Sequence, residues 1–199
     1  MSIKKIRYFA GFMGSQAKWL NSMAAKGFRL VKTGILSYEF EECAPDAYCY
    51  TVEYVGDRSF EAEKDYKAFL EDMGYRVFYK NINLNWSFGK VTIRPWAEKG
   101  GVFSTSRSTY NRELLIVEKK NDGKPFELHT EKEDLADYYR RLSYPWYFMA
   151  FLMLAMLILL FPMPVPTAIF GVTAGACILY IIILWRKIAK LKKEKELEE

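Results

Sequence analysis

The six residues Phe161-Pro162-Met163-Pro164-Val165-Pro166 carry proline at alternate positions, and their setting decides how the chain is organised. They lie inside a run from Trp146 to Trp185 that contains no charged side chain, 40 residues in all. One helix of that length would reach about 60 Å, twice the hydrocarbon thickness of a bilayer. Each proline lacks an amide donor and pushes the residue before it out of the helical region. The run is therefore expected as two spans, residues 144–161 and 165–185, folded back at the proline turn. Both are expected to be helical, because lipid offers no partner to unpaired backbone groups.

The flanks of the run read as membrane interfaces. Tyr144, Trp146 and Tyr147 mark the first entry, and Tyr180 and Trp185 the last exit, positions that amphipathic rings favour. Arg140 and Arg141 precede the first span, and Arg186, Lys187, Lys190, Lys192 and Lys193 follow the second, while the turn between is uncharged. Positive charge stays on the cytoplasmic side. Both termini are thus expected in the cytoplasm of a two-span plasma-membrane protein, with the bilayer as its first partner and residues 186–199 as a charged tail. In the second span, Gly171-Val172-Thr173-Ala174-Gly175 has the G-x-x-x-G spacing, with Ala168 a turn earlier. Small residues at that spacing let helices approach closely. Two uses stay open: packing on the first span of the same chain, or a homodimer seam.

Working outward, the 145 residues before the run hold nearly all the acidic side chains and most of the basic ones. Across the chain, 51% of residues are hydrophobic, 17% aromatic, and the formal net charge is +5. That composition excludes a disordered or low-complexity chain. Lys4, Lys5 and Arg7 resemble the basic start of a leader, but Tyr8–Met13 is too short and glycine-broken for its apolar core. Residues 1–143 are accordingly expected to stay cytoplasmic and reduced, with Cys43 and Cys49 as free thiols and Cys177 within the second span.

Residues 1–129 read as an α+β domain. Ile3–Phe9 is a strand. Ser15 opens a helix over Gln16–Lys26 with Trp19, Leu20, Met23 and Ala24 on its buried stripe, and Gly27 stops it. Phe28–Lys32, Ile35–Glu42 and Tyr48–Val55 follow as strands, the last two joined by the turn at Ala44-Pro45-Asp46-Ala47. The pattern recurs. Ser59 begins a helix to Asp72, with Ala62, Tyr66, Phe69, Leu70 and Met73 on one face; Gly74 ends it, and Tyr75–Tyr79 and Leu84–Ile93 are strands. Gly27-Phe28-Arg29-Leu30 and Gly74-Tyr75-Arg76-Val77 share one join, so two α-β-β repeats are expected, giving one antiparallel sheet with two helices on one face, ferredoxin-like. Trp96–Asn111 reads as a loop and Leu114–Glu118 as a further strand. Thr130-Glu131-Lys132-Glu133 is a capping box, opening a juxtamembrane helix over residues 130–143 with Leu135, Tyr138, Tyr139 and Leu142 on one stripe.

Chemistry-bearing patterns are sparse. His129 is the single histidine, and no Gly-x-Ser-x-Gly elbow, P-loop or dinucleotide fingerprint occurs. Glu41 and Glu42 are adjacent on a strand and would point to opposite faces, a poor acid–base pair. No three cysteines have a metal-ligand spacing. Basic and acidic residues interleave, so no nucleic-acid stripe emerges. Trp19, Tyr38, Tyr48, Tyr50, Tyr54, Trp86 and Phe88 would line a pocket or fill a core; their strand and helix spacing favours the core. No catalytic, cofactor or metal site is expected, and the chain is read as non-enzymatic.

The string Lys18-Trp19-Leu20-Asn21-Ser22-Met23-Ala24-Ala25-Lys26-Gly27-Phe28-Arg29-Leu30, with Tyr38-Glu39-Phe40-Glu41, Pro45, Tyr48 and Phe69-Leu70-x-x-Met73-Gly74-Tyr75, resembles the bacterial family of unknown function numbered 2812. The resemblance covers roughly residues 4 to 95, and a trailing membrane hairpin suits that family; the segment Trp96–Asn111 departs from it. Such proteins are encoded near transcriptional regulators, often of the PadR type, in Gram-positive bacteria. The resemblance implies a regulatory or stress-response role and carries over no functional residue. The expected function is a membrane-anchored regulatory or sensory protein that binds a protein or a ligand. The alternative is an accessory subunit of a larger membrane complex or transporter.

Overall fold

The computed structural model describes residues 2–55, 58, 60–82, 86–88, 91–93, 103–104, 113–126, 128, 132–161 and 163–196. Its elements in chain order are β1 (Ser2–Ile6), α1 (Met13–Ala25), β2 (Phe28–Thr33), β3 (Ser37–Glu42), β4 (Tyr48–Tyr54), α2 (Phe60–Asp72), β5 (Arg76–Lys80), β6 (Trp86–Phe88), β7 (Val91–Ile93), β8 (Phe103–Ser104), β9 (Leu114–Lys120), α3 (Lys132–Leu159) and α4 (Pro164–Glu196). They divide into two compact units, Met1–His129 and Thr130–Glu199.

The first unit is α+β and antiparallel. β3 lies between β1 and β2, and β9 lies between β4 and β5; β6, β7 and β8 make a third small sheet. β9 is central because Leu114-Leu115-Ile116-Val117 is apolar without alternation and is buried on both faces. Ile116 stands opposite Val52 and Phe78, while Val117 stands opposite Thr51 and Val77. Successive side chains of a strand point to opposite faces. Ile116, Phe78 and Tyr50 accordingly join α1 (Leu20, Met23, Ala24), Leu30, Tyr38 and Phe40 in one core. Leu115, Val117 and Val77 join Val55 and Leu70 of α2 in another.

This arrangement corrects the expected fold in three respects. The strands form separate three-stranded sheets. The two helices take opposite faces of the β4-β9-β5 sheet, and the ferredoxin-like plait with both on one side is not formed. β4 does not return along β3 but pairs with β9, and β5 pairs with β9 and not with the strand after it. The reason is that β9 offers apolar side chains to both faces at once, which neither β3 nor β6 does. The two helix–strand joins nevertheless share local geometry, since Gly27 (φ 80°) and Gly74 (φ 85°) both turn left-handed after a helix. On α2, Leu70 is buried but Ala62, Phe69 and Met73 are exposed, so the expected buried face is narrower than its apolar stripe.

α1 starts at Met13, three residues before the expected Gln16. Ala10 (φ 49°) and Gly11 (φ 78°) turn the chain into the helix, Phe12 occupies the N-cap without a side-chain bond, and Ser15 lies within the first turn. The expected caps at Ser59 and Thr130-Glu131, the residue His129, and most of Trp96–Asn111 lie outside the described residues. Within that last segment, Phe103–Ser104 pairs with β7.

The second unit is a pair of helices. α3 is continuous from Lys132 to Leu159 through Pro145, so the expected juxtamembrane helix and first span are one element. α4 opens on Pro164, a first-turn position where a missing amide is tolerated, and continues through Arg186 to Glu196. The expected charged tail is thus helical up to that point. Both helices are long and apolar enough to cross a membrane.

Candidate functional site

Arg29, Tyr50 and Glu118 meet at the joint between β2 and the β4-β9-β5 sheet. Arg29 donates from Nε and Nη2 to one oxygen of Glu118, at 3.0 and 2.8 Å. The Tyr50 hydroxyl donates to the other oxygen at 2.8 Å and accepts the Leu30 amide at 2.8 Å. The guanidinium also lies 4.2 Å from the centre of the Tyr48 ring. The hydrogen bond to Glu118 raises Arg29 above its usual value. Burial pushes the Tyr50 phenol far above its ordinary range, so it stays protonated and donates. Both Glu118 oxygens accept strong donors, which makes this carboxylate a joint between sheets and not a free base.

Asn21 performs a related task at the open edge of β4. Its Nδ2 donates to the Tyr50 carbonyl and its Oδ1 accepts the Tyr50 amide, each at 2.8 Å. One side-chain amide thereby occupies the backbone pair that a further strand would take. On the opposite face, the Tyr66 hydroxyl donates to buried Glu53 at 2.7 Å, and Arg58 lies 4.0 Å over the Tyr66 ring. These contacts fasten α2 to β4.

Lys80 is the most unusual cation of the unit. It is buried at the end of β5, and its Nζ donates to the carbonyls of Gly34 and Ile35, at 2.5 and 2.7 Å. Its ammonium lies 4.2 Å from the centre of the Tyr38 ring, and Gln16 donates to the Tyr38 hydroxyl at 3.1 Å. Burial pulls Lys80 down to about 8. The lysine therefore pins the β2–β3 turn from inside the core.

The aromatic candidates are mostly core. Tyr38 and Tyr50 are fully buried, and Trp19 and Tyr48 pack against them. The side chains of Trp86 and Phe88 lie outside the described residues. Cys43 and Cys49 are free, and burial raises both thiols, which disfavours the thiolate a nucleophile needs. Among the described residues no group of three or more His, Cys, Asp or Glu side chains is gathered as metal ligands would be.

In the second unit the aromatic and basic residues expected at a membrane interface meet in pairs. The rings of Trp146 and Tyr180 lie 4.6 Å apart, tilted by 43°, and Trp185 Nε1 donates to the Tyr147 hydroxyl. Lys187 lies 5.3 Å over the Tyr139 ring, whereas Arg186 is exposed. Tyr139 meets Lys187, Trp146 meets Tyr180 and Leu157 faces Gly171, so the two helices form an antiparallel hairpin. Its seam holds Ala150, Cys177 and Ile181, packed by Trp146 and Met149. The G-x-x-x-G residues divide: a Cβ on Gly171 would meet Leu157 at 3.4 Å, while Gly175 has open space and Ala168 is exposed. Sequence spacing alone did not find Asn21, Glu118 or Lys80, because their partners lie 29, 89 and 46 residues away. The one available signal was the resemblance string itself, which contains Asn21 and Arg29.

An α+β unit whose polar residues serve its own joints, followed by a helical hairpin able to cross a membrane, defines the class of protein. The chain belongs to the family described as "Protein of unknown function (DUF2812)", whose model matches residues 12–151 and so runs through the Trp96–Asn111 segment into α3. No curated protein and no solved structure matches it.

Proposed function

We propose that this is a membrane-anchored regulatory or sensory protein of the bacterial plasma membrane, with two spans, both termini in the cytoplasm, and a non-enzymatic action through protein or ligand binding. The observation that carries the proposal is the outward surface of α3 and α4. Phe148, Phe151, Ile158, Val172 and Leu179 are exposed although the helices already pack on each other. Lipid accounts for apolar side chains turned outward along both partners of a hairpin. The orientation rests on the basic residues at the Tyr139–Lys187 end. The non-enzymatic reading is supported by Glu118, Glu53 and Lys80, each held in a joint within the first unit.

Carbonate washing of native membranes, reporter fusions at Met1 and Glu199, and affinity purification in mild detergent test the proposal. A carbonate-resistant chain with both reporters inside and a reproducible partner is expected. Release by carbonate, an outside reporter, or a turnover activity in place of a partner overturns it. The exposed Ala168 and Gly175 favour one further reading, an accessory subunit or homodimer whose second helix contacts α4 there. In that case Gly175→Leu dissociates the complex while leaving the hairpin intact, and Gly171→Leu disturbs the hairpin itself.

A further inference from the structure

We infer that the β2–β3 turn and the end of β1 form a lipid-docking tip that inserts into the surface of an anionic leaflet. This inference rests on the membrane reading above. Ile35 is 69% exposed and Ile6 77%, and Tyr8 and Leu36 are exposed beside them. They are neighbours through the sheet: Ile6 pairs with Ser37, and the Arg7 amide donates to the Leu36 carbonyl at 2.9 Å. Apolar side chains at a turn are unusual, since turns favour polar residues.

The charge around them is mostly basic, Glu39 being the acid in register with Lys4 and Lys32. Residues 2–8 and 31–37 contain Lys4, Lys5, Arg7 and Lys32 and no acid. The first acidic side chain along β3, Glu39, is 3.8 Å from Lys4. An apolar tip rimmed by cations is complementary to a headgroup layer bearing phosphate charge over hydrocarbon. The tip is also stiff. Lys80 holds the Gly34 and Ile35 carbonyls from beneath, and the Gly34 amide donates to the Ser37 carbonyl at 2.8 Å. A turn already held in place loses little conformational entropy on docking. A lipid surface is the occupant favoured, because the same chain carries α3 and α4 and so keeps a bilayer within reach.

The test uses the full chain, with its cysteines replaced by serine and Ile35→Cys carrying a nitroxide, reconstituted into phosphatidylcholine vesicles with or without phosphatidylglycerol. Flotation after carbonate reads insertion of the hairpin, and collision with oxygen against a water-soluble nickel chelate reads the depth of the tip. A label at Glu61→Cys on α2 is the aqueous control. The expected result is that position 35 is shielded from nickel in anionic vesicles, is less shielded in neutral ones, and that each of Lys5→Gln and Lys32→Gln lowers the docked fraction's ratio about fivefold. A floating chain whose position 35 is as wet as position 61 overturns the tip and leaves the membrane reading standing. A chain that does not float overturns that reading and the tip with it. Shielding that is equal in neutral vesicles or persists in detergent micelles marks a protein contact, including a second copy, and overturns lipid docking.

Discussion

Arg29 and Glu118 meet across two sheets, with two guanidinium nitrogens on a single carboxylate oxygen at 3.0 and 2.8 Å. Glu118 is only 2% exposed, so the pair is fixed by what surrounds it as much as by its own attraction. Removing Arg29 leaves the buried Glu118 charge stranded in a low-dielectric setting, whereas Arg29 itself is 27% exposed and lies 3.8 Å from Glu41.

Arg29→Met should therefore destabilise the first unit by about 3 kcal/mol. Glu118→Leu alone should cost less, since Arg29 keeps solvent and Glu41, and the double substitution should recover part of the Arg29→Met loss, because no buried carboxylate is then left unpartnered. Denaturant unfolding of the detergent-solubilised chain, followed by near-ultraviolet circular dichroism, measures all three. Additive losses in the double variant would contradict a coupled pair.

Asn21→Ala removes both side-chain bonds to the Tyr50 backbone and opens the edge of β4. A loss of about 2 kcal/mol is expected, together with faster hydrogen exchange at the Tyr50 amide. Asn21→Asp should be only a partial replacement, since it retains the acceptor for the amide but has no donor for the carbonyl.

Burial holds Lys80 at about 8 in the folded chain, below the usual 10.5 of a lysine, so the unfolded chain binds more protons between those values. Stability should then rise with pH from about 8 to about 9, as the burden of a buried ammonium is lifted and before the raised phenols of Tyr38, Tyr50 and Tyr66 act in the opposite sense near 10. The thiols of Cys43 and Cys49 are raised from 9.0 and act in the opposite sense above it, so the measurement belongs in a Cys43→Ser, Cys49→Ser background. Thermal midpoints should climb over that window and flatten in Lys80→Met.

Gly27→Ala and Gly74→Ala separate backbone strain from steric conflict. Both positions have positive φ, which costs an L-residue roughly 1–2 kcal/mol. At Gly74 the added Cβ meets nothing within 4 Å, so that is the whole expected loss. At Gly27 it would lie 2.9 Å from the Cys43 carbonyl, and the loss should be about 1–3 kcal/mol larger. Equal losses would show that the turn can shift away from the carbonyl.

What could be read from the chain was local. The glycine stops after α1 and α2, the β2–β3 hairpin and the break between Leu159 and Pro164 follow from φ preferences and side-chain period, which act over a few residues. The apolar run predicted two helices from its length and its lack of charge. Tertiary structure alone decided the rest. Leu114–Val117 had the unbroken apolar pattern of a strand buried on both faces, but nothing local says which two strands flank it. That choice put α1 and α2 on opposite faces and carried Glu118 to Arg29. It is also the pairing with β9 that sets β5, and with it Lys80, beneath the β2–β3 turn. Propensity and periodicity are properties of neighbouring residues, whereas pairing and burial belong to surfaces that come together only when distant segments meet.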